Sequence, residues 1–189
     1  MNKPLFLFIG RSASGKTSIA NMLEADGYSQ VNSYTTRLPR YEGEVGHTFI
    51  TEEEYSHLEN IVASTLYNGY HYCTTLDQIQ NADIYVIDVP GVQTLLDNYD
   101  KLNRDIYILY FNASVINRIR RMIDRHDSDT QIVSRLLVDE DFDWWQKIIE
   151  LGINKFSLYR INANADLDEV YNIVKEFIEE ANERWLNVQ

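Results

Sequence analysis

A three-layer α/β fold, with a central, mostly parallel sheet between helices, is what this sequence predicts, and three observations carry the prediction. Short apolar runs alternate with helical patterns along most of the chain. The glycine-bounded segment GRSASGKT stands directly between the first apolar run and the first helix. Residues 33–82 break the alternation with an Asn-Gly hairpin, which places a smaller antiparallel lobe inside the parallel core.

Taken in order, Leu5 to Ile9 is a continuous apolar run bounded by Pro4 and Gly10, as expected of a strand buried on both faces. From Lys16 to about Asp26 the residues Ile19, Ala20, Met22 and Leu23 share one helical side, and Gly27 marks the stop. Thr51 and Glu54 begin a short helix that Asn60 ends; Ile61 to Tyr67 and Tyr70 to Thr74 then flank Asn68-Gly69 as a hairpin. Ile84 to Ile87 and Ile106 to Phe111 read as further buried strands, each followed by a helix, the first opened by Gly91 and the second capped by Ser114. Arg125 to about Glu140 is polar and charged and reads as a mobile loop around RHDSDT. Phe142, Trp144 and Trp145 fall at helical spacing and read as packing a helix onto the sheet. A last strand, Phe156 to Ile161, leads into an amphipathic helix where Asp166 and Glu169 have capping-box spacing. The expected organisation is one domain over 1–189, with a core of 1–32, 83–124 and 141–189, an inserted lobe of 33–82 and a lid of 125–140.

Seventeen Lys and Arg against 29 Asp and Glu leave a formal charge of −12, which repels nucleic acid and anionic membrane at long range. A bound polyanion therefore needs a local positive pocket. The single cysteine, Cys73, permits no intrachain disulfide and reads as a small packed residue in a reducing compartment. No segment has the length of a membrane span and the N-terminal apolar run lacks a cleavage site, so the expectation is a cytoplasmic protein, monomer or homodimer.

GRSASGKT matches G-x-x-x-x-G-K-[ST] from Gly10 to Thr17. Such a loop turns successive backbone N–H groups toward phosphate and adds the positive end of the following helix. Gly10, Ser12, Ala13, Ser14, Gly15, Lys16, Thr17 and Ser18 are accordingly the expected donor-phosphate residues, with Lys16 reaching the outer phosphates and the Thr17 hydroxyl ligating Mg²⁺. Asp88, closing the Ile84 to Ile87 strand, is the expected carboxylate of the magnesium site.

SYTTRLPRYEGEVGHTF, in an insertion after the first helix, resembles the acceptor-binding segment of guanylate kinases, S-x-T-T-R-x-x-R followed by G-E and an aromatic residue. The likeness extends through the hairpin ending in Tyr72, the strand ending in Asp88, the segment RRMIDRH and NADLDEV near the C-terminus. It implies a nucleoside monophosphate kinase that transfers the ATP γ-phosphate to a nucleotide such as GMP or dGMP, with Mg²⁺ and with small-molecule nucleotides as its partners. Arg37, Arg40 and Tyr72 then grip the acceptor phosphate, Ser33 assists at the base, and Asn164 lies near the adenine. Arg121, Arg125 and Arg135 close over the triphosphate as lid arginines, while Arg118 and Arg120 read as helix-surface residues.

The chain departs from that pattern where guanine is read. Ala63 and Val86 stand where the family's glutamate and first aspartate fall, unless an offset at Pro90 puts Asp88 in the base-reading role. His47 replaces a phosphate-binding tyrosine and either stacks on the base, touches phosphate or serves as a hydrogen-bonded lobe residue. Two other readings follow: a kinase acting on a phosphorylated sugar such as a ribose phosphate, and a non-catalytic interaction module. The second has no physical need of an intact Gly15-Lys16-Thr17 cradle.

Overall fold

The computed structural model describes residues 2–39, 42–140 and 157–187. In chain order it contains β1 (Asn2–Ile9), α1 (Lys16–Ala25), β2 (Ser33–Thr35), β3 (His47–Phe49), α2 (Glu52–Ser56), β4 (Ile61–Tyr67), β5 (Tyr70–Thr75) and α3 (Leu76–Gln80). There follow β6 (Ile84–Val86), α4 (Val89–Asp97), a 3₁₀ turn at Tyr99–Lys101, β7 (Arg104–Asn112), α5 (Val115–Asp124), α6 (Asp129–Glu140), β8 (Ser157–Asn162) and α7 (Leu167–Leu186).

One sheet runs β6-β1-β7-β8 with every neighbour parallel. Alternate residues of β1 serve opposite faces, as the two-residue period of a strand requires. Leu5, Leu7 and Ile9 pack with Val92 and Leu95 of α4 and with Val62 of β4. Phe6 and Phe8 pack with Ile19 and Leu23 of α1 and with Val170, Val174 and Ile178 of α7. Helices thus cover both faces, which is a three-layer α/β arrangement. β1 lies between β6 and β7, so the loop at its carboxyl end sits where the strand order diverges.

The inserted sheet has the order β3-β2-β5-β4. It is mixed rather than wholly antiparallel, because β2 and β3 pair in parallel while β2-β5 and β4-β5 are antiparallel. Asn68 and Gly69 both take positive φ, 51° and 79°, as a two-residue hairpin turn demands. β4 is the edge of this sheet, and α4 covers it: Ser64 N–H donates to Thr94 Oγ1 at 2.8 Å, Thr94 Oγ1 donates to Ser64 O at 3.1 Å, and Asn98 Nδ2 donates to Val62 O at 3.3 Å.

Several element boundaries differ from the sequence reading. Asp129 to Glu140 is a helix, so the loop there is confined to the residues around His126, whose φ is 63°. α4 starts at Val89, ahead of Gly91, because Asp88 caps it and Pro90 is tolerated in a first turn. Asp166 is the N-cap of α7 but makes no side-chain cap bond. Ser114 and the Thr51–Glu54 capping box hold as expected. Phe142, Trp144, Trp145 and Phe156 lie outside the described residues. Cys73 is buried, and burial pushes its thiol up to about 11, which leaves it unreactive. No helix among the described residues is long and apolar enough to cross a membrane.

Arg104, at the start of β7, is almost fully buried and donates Nε to Lys3 O, Nη1 to Ile79 O and Nη2 to Pro4 O at 2.5–2.7 Å. Burial pushes its guanidinium down to about 10, still charged at neutral pH. One rigid fork therefore ties β1, β7 and α3 at the end of the sheet away from the glycine loop. Replacing Arg104 by Met leaves two buried carbonyls and one part-buried carbonyl unmet and is expected to cost about 3 kcal/mol of unfolding free energy. Arg104→Lys should recover only part of it, since an ammonium cannot span the three acceptors. Urea unfolding of the full chain measures both, and losses below about 1 kcal/mol would remove the role given to Arg104.

Candidate functional site

The loop after β1 curls tightly because Gly10, at φ 146°, runs against β7: a Cβ there would stand 2.5 Å from Phe111 O. Ala13 (φ 58°) and Gly15 (φ 98°) carry the curl into α1. Lys16 folds back over the loop, donating from Nζ to Gly10 O at 2.7 Å, Arg11 O at 3.0 Å and the buried Ser14 hydroxyl at 3.4 Å. Desolvation pushes its ammonium down to about 8, with the Asp139 carboxylate pulling the other way and Arg118 and Arg125 adding to the fall. Thr17 and Ser18 are exposed on the first turn of α1.

The arginines gather on this loop from α5 and α6. Arg121 donates from Nη2 to Ala163 O at 2.8 Å and from Nη1 to Ala13 O at 3.4 Å, so it spans the β8–α7 turn and the glycine loop. Arg125 makes a two-point contact with Asp127, Nε to Oδ1 at 2.8 Å, and Arg135 lies 3.5 Å from the same carboxylate. Asn164 spends its Oδ1 on Ser114 N–H at 2.7 Å and Asn117 Nδ2 at 3.1 Å, tying the β8–α7 turn to the start of α5.

Arg118 corrects the sequence reading: its side chain is fully buried, paired with Asp139, whereas Arg120 is on the surface as expected. Asp139, which sequence reasoning passed over, accepts the Ser12 N–H of the glycine loop at 3.1 and 3.3 Å. A signal for it exists. On α6 the inward positions Ile132, Leu136 and Asp139 follow helical spacing, and on α5 Arg118 and Met122 do the same, so each apolar stripe carries one charge.

At the other end, strand register places Thr65 opposite Tyr72, and Ser33 opposite His47. Ser33 Oγ and His47 Nδ1 are 3.0 Å apart, and the His47 ring meets Tyr72 edge-on at 5.6 Å. Arg37 donates Nε to Tyr72 Oη at 3.1 Å, while Glu44 takes its two Nη groups at 2.9 and 3.0 Å and Leu38 O accepts from Nη1. These contacts engage four of the five N–H groups of the fork, and that Glu44 contact is a second feature the sequence reading did not foresee. Arg40 lies outside the described residues.

Asp88 accepts the Gly91 N–H at 2.8 Å as the cap of α4 and lines the cleft beside Thr65; burial pushes its carboxyl up. Ala63 is buried in the core, and Val86 is half-buried at the cleft. Among the described residues no three His, Cys, Asp or Glu side chains cluster as a metal cage. Thr17, exposed beside the loop, fits a Mg²⁺ that takes most of its ligands from phosphate and water. A cleft of about 390 Å³ joins the two ends, running from Gly10, Ser12 and Lys16 past Asp88 to Ser33, His47 and Tyr72. Arg135 and Asp139 line it from α6. That volume suits a small molecule.

No protein-family model matches the chain, and no protein of curated function matches it. Among solved structures, a de novo designed protein of P-loop NTPase fold aligns over 96% of this chain and 94% of its own, at 10% identity and a TM-score of 0.41. A deoxyadenosine kinase from M. mycoides with products dCMP and a flexible dCDP bound aligns over 93% and 100%, at 14% identity and 0.46. The same kinase with bound dCTP aligns over 94% and 99%, at 15% identity and 0.47. Likeness at this level carries no argument about chemistry, and the functional reading rests on the chain's own residues.

Because burial pushes the Lys16 ammonium down to about 8 and a bound anion stabilises its charged form, the affinity of the wild type for inorganic tripolyphosphate relative to Lys16→Met, in which the ligand's own ionisation cancels, should be flat below about pH 8. Above it, that relative affinity is expected to fall by up to about tenfold per pH unit, with extra proton uptake by the wild type on binding. Calorimetry of the two proteins in buffers of different ionisation heat reads both.

Proposed function

We propose that this chain is a P-loop phosphotransferase, laid out like a guanylate kinase, that moves the ATP γ-phosphate onto the phosphate of a nucleoside monophosphate. The observation that carries the reading is the cleft joining the glycine loop to the face of the inserted sheet that bears Ser33, His47, Thr65 and Tyr72.

Two polyanions must meet in that cleft. A pair of unit charges 4 Å apart repels by about 4 kcal/mol at an effective dielectric near 20, so cations have to intervene. Lys16, Arg121, Arg125 and Arg135 supply them on the donor side, and Mg²⁺ at the Thr17 hydroxyl, when bound, would neutralise phosphate oxygens further. The attacking phosphate oxygen is already anionic, so no side-chain base is required. Residues 125–140 act as the donor-side lid and 33–82 as the acceptor lobe.

On the acceptor side, Tyr72 offers a hydroxyl held in place by Arg37, and an acceptor phosphate competes with Glu44 for the Arg37 fork. Around the base, Asp88 with Thr65 and Ser33 with His47 are the polar pairs, set among Tyr67, Tyr72 and Tyr85. The apolar Ala63 and Val86 remove the paired acceptors that would single out guanine, so discrimination against other bases is weaker than paired carboxylates give. Asp88 is assigned to the base rather than to the metal, since its carboxylate is held by the α4 cap and lines the cleft with Ser33 and Thr65.

Purified full-length protein with ATP and Mg²⁺, offered ribo- and deoxyribonucleoside monophosphates of each base alongside ribose 5-phosphate, is expected to form at least one nucleoside diphosphate. Turnover of the sugar phosphate alone would move the assignment to that substrate class, and no product from any acceptor would end it. Lys16→Met is expected to lower kcat/KM by about 10³-fold or more, in steady-state assays of the best acceptor.

A further inference from the structure

The contact between α6 and the glycine loop is unusual for a core contact. Asp139 is 3% exposed and Arg118 is fully enclosed, yet the pair is incompletely satisfied: Arg118 Nε and Nη2 are buried with no hydrogen-bond partner among the described residues. A buried ion pair with unmet donors is a weak way to hold two helices together, because desolvation offsets most of the attraction. Its placement makes sense of it. The Asp139 carboxylate accepts the Ser12 N–H, a donor that this kind of loop directs at phosphate oxygen, and it takes Arg118 Nη1 at the same time. Lys16, on the same loop, is folded onto carbonyls of its own backbone.

We propose that Asp139 is a built-in occupant of the phosphate cradle, and that a polyphosphate binds by displacing it and taking over both the Ser12 N–H and the Arg118 guanidinium. The inference rests on the reading of the glycine loop as a phosphate site. It goes beyond that reading by making Arg118 a phosphate ligand and by making occupancy of the cradle a competition with the chain's own carboxylate. Only non-covalent bonds exchange. Ser12 N–H and Arg118 Nη1 pass from carboxylate to phosphate oxygens, and the two unmet Arg118 donors gain acceptors that one carboxylate cannot supply. Asp139 travels with α6, which also carries Arg135 at the cleft, so its displacement moves that wall of the site. The apparent affinity for polyphosphate is lowered by the fraction of molecules in which the carboxylate holds the cradle.

Asp139→Asn keeps the side chain's size and an acceptor oxygen but removes the charge. Calorimetric titration of the full chain with inorganic tripolyphosphate, without metal, should show the variant binding about tenfold or more tightly than the wild type. Adding Arg118→Met to Asp139→Asn should cancel that gain. Unchanged or weaker binding by a cooperatively folded Asp139→Asn protein overturns the inference while leaving the phosphate reading intact, and a gain that survives Arg118→Met removes Arg118 from the site. If neither wild type nor variant binds tripolyphosphate, the phosphate reading falls and the inference with it. Should the substitution prevent folding, ¹⁵N-labelled wild-type protein decides: the Ser12 resonance and those of residues 129–140 are expected to shift together on adding tripolyphosphate. A shift of Ser12 with α6 unmoved overturns the proposal.

Discussion

The close approach of Gly10 to the Phe111 carbonyl governs the rest of the structure. No side chain fits between β1 and β7 at that point, so the chain leaving β1 has to turn back within a few residues and enter α1 through left-handed Ala13 and Gly15. The tight turn sets the loop's N–H groups inward and brings the Lys16 ammonium over their carbonyls. Because β1 is clamped between β6 and β7 and buried on both faces, the turn has a rigid base. The cations of α5 and α6 then converge on a fixed point rather than a flexible one.

That convergence answers the difficulty posed by a chain of net charge −12. Its carboxylates dominate the long-range field, and its cations matter only where local geometry gathers them. The same carboxylates then compete for those cations: Glu44 on Arg37, Asp127 on Arg125 and Arg135, and Asp139 on Arg118. Each guanidinium is oriented by an internal anion, which limits the side-chain freedom it has to give up when a ligand arrives.

Most of the architecture was legible because it rests on short-range signals. Continuous apolar runs marked the buried strands, the Asn68-Gly69 turn marked the hairpin, and the glycine-lysine segment marked the cradle. What was hidden depends on contacts distant in sequence. Asp139 meets Ser12 across most of the chain, and a charged residue on an otherwise apolar stripe reads locally as surface. Arg118 was misplaced for the same reason. The helix at 129–140 was obscured because its N-terminal residues are polar and its inward stripe is narrow, with Ile132 and Asp139 its only buried positions among those described. Away from the glycine loop the hairpin register was readable, but Thr65 and Asp88 line the cleft from separate parts of the chain, and only the folded structure puts them together.

The clasp between β4 and α4 has a mechanical consequence. Thr94 and Asn98 bind the outer edge of the inserted sheet through its backbone, so that sheet is bolted to a helix whose other side is sunk in the core. It cannot swing as a free flap without dragging α4 along. Any narrowing of the cleft therefore falls to the opposite side, as in a vice with one fixed jaw and one that travels.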